Sequence, residues 1–135
     1  MRVLHAAVAA CTFGLLCPLA AQAASWTVDP AASELAFSGS HSGKPFRGTF
    51  RSWAAMIDFD PEKPEAGKVE VTIDLASART GDTTYDRTLP TKDWLDSGTL
   101  AKATFTTDSI KRGETPNSYV AQGTVGIRGA TSPAT

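Results

Sequence analysis

The sequence predicts one all-β domain, an antiparallel sandwich or barrel, preceded by an export leader. Two features carry the fold: stretches that alternate apolar and polar residues with a period of two, and clusters of Gly, Pro, Asp and Ser between them. Short strands joined by tight turns suit antiparallel pairing, whereas a parallel sheet needs long, usually helical, crossovers. The third feature is the N-terminus. MRVLHAAVAACTFGLLCPLAAQAA has Arg2, an apolar run from Ala6 to Leu16, a break at Pro18 and Ala21-Gln22-Ala23 at its end.

That layout is a secretory signal peptide cut after Ala23, which divides the chain into a leader, 1–23, and a domain, 24–135. The apolar run is shorter than the roughly 20 residues of a spanning helix. Too little apolar sequence precedes Val8-Ala9-Ala10-Cys11 for it to serve as a lipoprotein box. The expected location is therefore the periplasm. Both cysteines, Cys11 and Cys17, leave with the leader, so no disulfide, thiolate metal site or cysteine nucleophile is expected in the domain. Without Arg2 the thirteen basic residues become twelve, against fourteen acidic ones. No basic block stands in the sequence, which argues against a nucleic-acid partner.

The strands follow in order. Ser33–His41 puts Leu35 and Phe37 on one face. Phe46–Asp60 holds Phe50, Trp53, Met56, Ile57 and Phe59; Phe50 and Trp53 differ in parity, which predicts a bulge near 51–53. Lys68–Ala76 alternates most regularly, with Val69, Val71, Ile73 and Leu75 on one face and Glu70, Thr72 and Asp74 on the other. Ala103–Lys111 and Ser118–Arg128 complete five strands, or six if Trp26–Asp29 is counted. The turns between them are Ser42–Pro45, Asp60–Pro64 and Arg112–Pro116. Gly129–Thr135 reads as a turn with nothing after it.

One segment breaks the pattern. TGDTTYDRTLPTKDWLD, residues 80–96, is polar yet carries Tyr85, Leu89, Trp94 and Leu95. Asp82 or Thr83 could cap a short helical segment over residues 83–95, interrupted by Pro90. Set among strands, it suits a lid or flank across a sheet.

Energetics require the apolar faces to meet. Burying Val69, Val71, Ile73 and Leu75 yields about 6–12 kcal/mol, while ordering nine residues costs about 9–18 kcal/mol of backbone entropy. No strand stands alone. A small closed barrel takes about eight strands, so five or six would leave open edges.

The residues also resemble a known family. WTVDPAASELAFSGSH is similar to the opening of YceI-like domains, and FRGTFRSWAAMIDFDPEKPEAGKVEVTIDLAS to their central strands. DRTLPTKDWLD and GTVGIRGATSPAT resemble two later family segments, in order and at compatible spacing. Leu100-Ala101-Lys102 stands where the family usually places a proline before the next strand. The resemblance implies a lipocalin-like antiparallel β-barrel, with its last strands missing from this chain, and a long isoprenoid chain held inside as the apolar ligand. The SARTGDTTYD and TLPTKDW variant resembles members associated with membrane-bound b-type cytochromes, which implies a quinone-like lipid and such a cytochrome as partner.

On that reading the inward faces, Leu35, Phe37, Phe50, Trp53, Ile57, Val71, Ile73 and Phe105, line a ligand space, and Leu89, Trp94 and Leu95 close one side or mouth of it. The bland alternative is that the same residues simply fill a solid core. No catalysis, metal or cofactor is expected. His41 is the single histidine after the leader, and Asp82, Asp86, Asp93 and Asp96 fit no EF-hand spacing and suit caps and turns. Arg79 and Lys92 flank the helical segment, where they are more simply explained by solvation than by a ligand head group. The expected function is a periplasmic carrier of an isoprenoid or quinone-like lipid, not an enzyme. The alternative is a structural or interaction protein with a solid core.

Overall fold

A computed structural model describes residues 24–135; the segment read as a leader, with Cys11 and Cys17, lies outside the described residues. Among the described residues nine strands form: β1 (Ser25–Trp26), β2 (Leu35–His41), β3 (Lys44–Phe50), β4 (Trp53–Asp58), β5 (Lys68–Asp74), β6 (Ala78–Arg79), β7 (Lys102–Arg112), β8 (Tyr119–Ile127) and β9 (Ala130–Ala134). One α-helix among them, α1, spans Thr83–Thr88. All pairings are antiparallel, in a six-stranded sheet of order β1-β4-β5-β7-β8-β9 and a three-stranded sheet of order β2-β3-β6.

The two sheets share one continuous ribbon. β4 pairs with β5 as far as Trp53 opposite Ile73, and β3 resumes with β6 at Phe50 opposite Ala78. Between these pairs the contact never lapses. Arg51 N–H donates to the Ser77 carbonyl at 3.2 Å, Ser52 N–H to Ser77 Oγ at 3.0 Å, and Asp74 N–H to the Ser52 carbonyl at 3.0 Å. The expected bulge near 51–53 is thus a corner, and the extra residues lie on the partner segment, where Leu75–Ser77 make a 3₁₀ turn. Asp74 caps that turn by accepting from Ala76 N–H at 3.1 Å.

The corner also corrects the reading of Leu75. The fifth strand ends at Asp74, and Leu75 leaves the row of Val69, Val71 and Ile73 to become 0% exposed inside the corner. Its N–H donates to the Ala101 carbonyl at 2.9 Å, which ties the corner to the approach of β7.

Two hairpins use two-residue turns whose residues both have positive φ: Ser42 and Gly43 at 50° and 75°, Arg128 and Gly129 at 53° and 72°. This I′-like geometry matches the twist of antiparallel strands. It pulls Lys44 and Pro45 out of the predicted turn into β3. It also overturns the expectation for the C-terminal residues: Gly129 is followed by β9, in register with β8 from Ile127–Ala130 to Gly123–Ala134. β6 was invisible because two residues carry no periodicity.

The polar segment is helical only over six residues. Asp82 accepts from Thr84 and Tyr85 N–H, as an N-cap does, and the chain continues beyond Leu89 in tight turns rather than in helix to residue 95. Asp86 locks the helix to the end of β6, accepting from Thr80 N–H at 2.7 Å and Thr80 Oγ1 at 2.8 Å. These hydrogen bonds, the backbone one foremost, hold its carboxyl below the usual aspartate range.

Two outcomes follow for stability. Leu75→Ala should cost about 2–5 kcal/mol in urea unfolding, whereas Met56→Ala, at an exposed position, should stay within about 0.5 kcal/mol. Because the Asp86 pKa is lowered on folding, its contribution is present above the ordinary aspartate value and lost as pH falls through the lowered one. NMR titration should therefore find the Asp86 carboxyl protonating below the ordinary aspartate range, with the Thr80 amide resonance moving in the same step. Asp86→Asn should remove that step.

Candidate functional site: the inner faces and the corner cleft

The register fixes which side chains face inward. In the small sheet, Leu35 lies opposite Phe50, Phe37 opposite Gly48 and Gly39 opposite Phe46. Phe37 and Phe50 meet at 4.7 Å between ring centroids. Gly48 is a steric necessity, because a Cβ there would collide with the Arg79 carbonyl as well as the Phe37 ring, whereas a Cβ on Gly39 would lie 2.6 Å from Phe46 Cζ and displace that ring. In the large sheet, Trp53 pairs with Ile73, Ile57 with Val69, and Val71 with Phe105, which in turn pairs with Val125.

The structure therefore places all eight expected strand residues on the inner faces. None of them is sealed. Leu35, Phe37, Phe50, Trp53, Ile57, Val71, Ile73 and Phe105 are each half-buried. The buried apolar set among the described residues is small and lies elsewhere: Leu75, Ala78, Leu89, Ala103 and Ile110. Large aromatic and aliphatic side chains normally seek full burial, so inner faces left partly open are faces able to take more apolar contact.

A cleft of about 630 Å³ opens at the corner, within the 300–1,000 Å³ range of ligand pockets. β1 pairs with β4 only at Ile57 and Asp58, after which the N-terminal segment diverges from the edge of β4. The cleft fills that gap. The inward Trp53 and Ala55 and the outward Ala54 and Met56 all line it, together with Phe50, Trp26 and Val28. It thus runs along the edge of β4 and reaches inner-face residues. Trp26 is held there by its indole N–H, which donates to the Phe59 carbonyl at 2.9 Å, and remains 53% exposed.

The helical segment sits at a different place, over the far end of the β2–β3 hairpin. Phe46 stacks on Tyr85 at 4.8 Å and meets Trp94 edge-on at 5.7 Å, while His41 lies 5.6 Å from Trp94. Trp94 lines a hollow of about 320 Å³ with His41, Tyr85 and Asp82. Leu89 is buried and Leu95 half-buried. Sequence reasoning left out Phe46, Tyr85 and His41 as a cluster, though the alternation of Phe46 with Phe50 was a usable signal. Trp26 and Met56 were also left out. Two of the four aspartate carboxylates serve the backbone, Asp82 capping α1 and Asp86 accepting from Thr80 N–H, while Asp96 accepts from Thr99 and Leu100 N–H through its main-chain carbonyl. Among the described residues no three His, Cys, Asp or Glu side chains come together as metal ligands.

The comparisons agree with this architecture. The chain is 33% identical to Burkholderia cenocepacia BcnA, whose crystal structure superposes with a TM-score of 0.70 over 79% of this chain and 67% of that one. A Campylobacter jejuni YCEI protein superposes with a TM-score of 0.60 at 28% identity, over 81% of this chain and 64% of that one. A UPF0312 protein of Shewanella baltica is 31% identical over 123 residues, 88% of this chain but 63% of its own length. The chain thus spans less than two thirds of that relative. The family model for the YceI-like domain matches residues 26–135, and the chain belongs to the YceI-like family, with its lipocalin-like antiparallel β-barrel fold.

Proposed function

We propose that this chain forms the lipid-holding part of an exported, non-catalytic carrier, and that the guest is a polyisoprenoid or isoprenoid-quinone lipid. One observation carries the reading: the inner faces of both sheets present large apolar side chains in register, and these are only half-buried by one another. A chain of prenyl units supplies the missing contact. Each buried methylene contributes about 0.8 kcal/mol, so several prenyl units outweigh the cost of ordering the ligand without any polar anchor. The corner cleft, with Phe50 and Trp53 in its wall, offers the way in. The leader read from residues 1–23 supports a periplasmic carrier, and a hydrophobic lipid needs a protein to cross water there.

Organic extraction of the purified protein followed by mass spectrometry tests the reading. A prenyl lipid in near-stoichiometric amount is expected, and Trp53→Ala should lower the retained amount about five- to thirtyfold, the equivalent of 1–2 kcal/mol of lost contact. A folded protein that yields no extractable lipid would contradict the carrier reading. It would favour a solid-core interaction protein instead, for which a membrane b-type cytochrome is the partner to try first.

A further inference from the structure

The outer face of the small sheet has a charge character that the sequence conceals. Thr49 of β3 pairs with Arg79 of β6, which brings Arg79 beside Arg47 and Arg51. These three arginines line a shallow cleft of about 360 Å³ with Glu34 as its one acid. The protein as a whole carries a formal charge of −1, so this concentration of positive charge is local. Each of its members keeps guanidinium donors to spare. Arg47 meets Glu34 at 3.2 Å in a highly exposed pair, which is weakly held. Arg79 donates through Nη1 to the Ala76 and Ala78 carbonyls, an arrangement that holds its guanidinium in place at the rim. Arg51 makes no side-chain hydrogen bond among the described residues.

The basic face also borders the apolar cleft. Glu34, Thr49 and Arg51 line both cavities, and the neighbouring wall carries the exposed Trp26 and Met56. Guanidinium groups match phosphate oxygens in a two-pronged fork, and exposed Trp beside Arg is the composition of a membrane-interface anchor.

We propose that this combined face, with Arg47, Arg51 and Arg79 beside Trp26 and Met56, docks the protein on an anionic phospholipid surface and presents the corner cleft to the membrane. The inference extends the carrier reading by naming where the guest would be loaded, and it is tested without reference to any guest. An arginine near an anionic leaflet strengthens binding by about fivefold. Three of them, offset by Glu34, give a weak, reversible and salt-sensitive attachment, as repeated docking requires.

Co-sedimentation of the protein with vesicles of phosphatidylcholine and phosphatidylglycerol, against vesicles of phosphatidylcholine alone, tests this. Binding is expected to the anionic vesicles only, and to fall as salt is raised. Arg47→Gln/Arg51→Gln should weaken it by about 25-fold. That variant leaves Arg79 on its two carbonyls and so spares the fold. Glu34→Gln should strengthen it. Equal binding to both vesicle types, or anionic binding unchanged by either variant, would overturn the inference. So would phosphate-induced NMR shifts at the arginines in a protein that binds no vesicles. Extractable lipid from a protein that ignores anionic vesicles would overturn this inference alone and leave the carrier reading standing.

Discussion

The corner at Arg51–Ser52 and Leu75–Ser77 is the constraint on which the rest of the molecule depends. One hydrogen-bonded ribbon changes sheets there without a break, because Ser77 and Ser52 exchange bonds across the gap while Leu75 fills its inside. The change of sheet carries β3 into the three-stranded sheet and β4 into the six-stranded one. At the edge of β4 the pairing with β1 is confined to Ile57 and Asp58, and the corner cleft opens beyond it.

The sequence revealed the parts whose signal is local and periodic. Val69, Val71 and Ile73 announced their shared face, Asp82 its capping role, and Leu35 and Phe37 their strand. It did not reveal what depends on pairing between distant segments. Leu75 continued the alternation perfectly yet left the strand, because the tertiary demand for a corner overrode a period-two pattern. The Arg128–Gly129 turn looked terminal, since β9 consists of Ala, Thr, Ser and Pro and has no hydrophobic row to betray it. The site shows the same division. Parity aligned Leu35 with Phe37 and Val71 with Ile73, but Phe50 and Trp53 share a side only because the corner lies between them, and the cleft lies beyond the short β1–β4 pairing, which no residue type signals. The arginine cluster, too, exists only once Thr49 pairs with Arg79.

Charge and apolar surface are consequently segregated around one opening. The inner faces leave apolar side chains half-buried, the edge of β4 borders the cleft, and the outer face of the small sheet supplies positive charge beside it. Helix α1 with Trp94 and Tyr85 covers the opposite end of the β2–β3 hairpin through its stacking on Phe46. What the fold controls is which apolar surface stays dry and which stays open.

Trp53 reports directly on whether the inner faces hold a lipid tail. With Trp26→Phe and Trp94→Phe, it becomes the sole indole of a chain that has three. Titration of the delipidated variant with a prenyl alcohol should then produce a saturable blue shift of its fluorescence as water leaves the inner face. Emission that stays fixed through the titration, in a protein shown to be folded, would contradict the account.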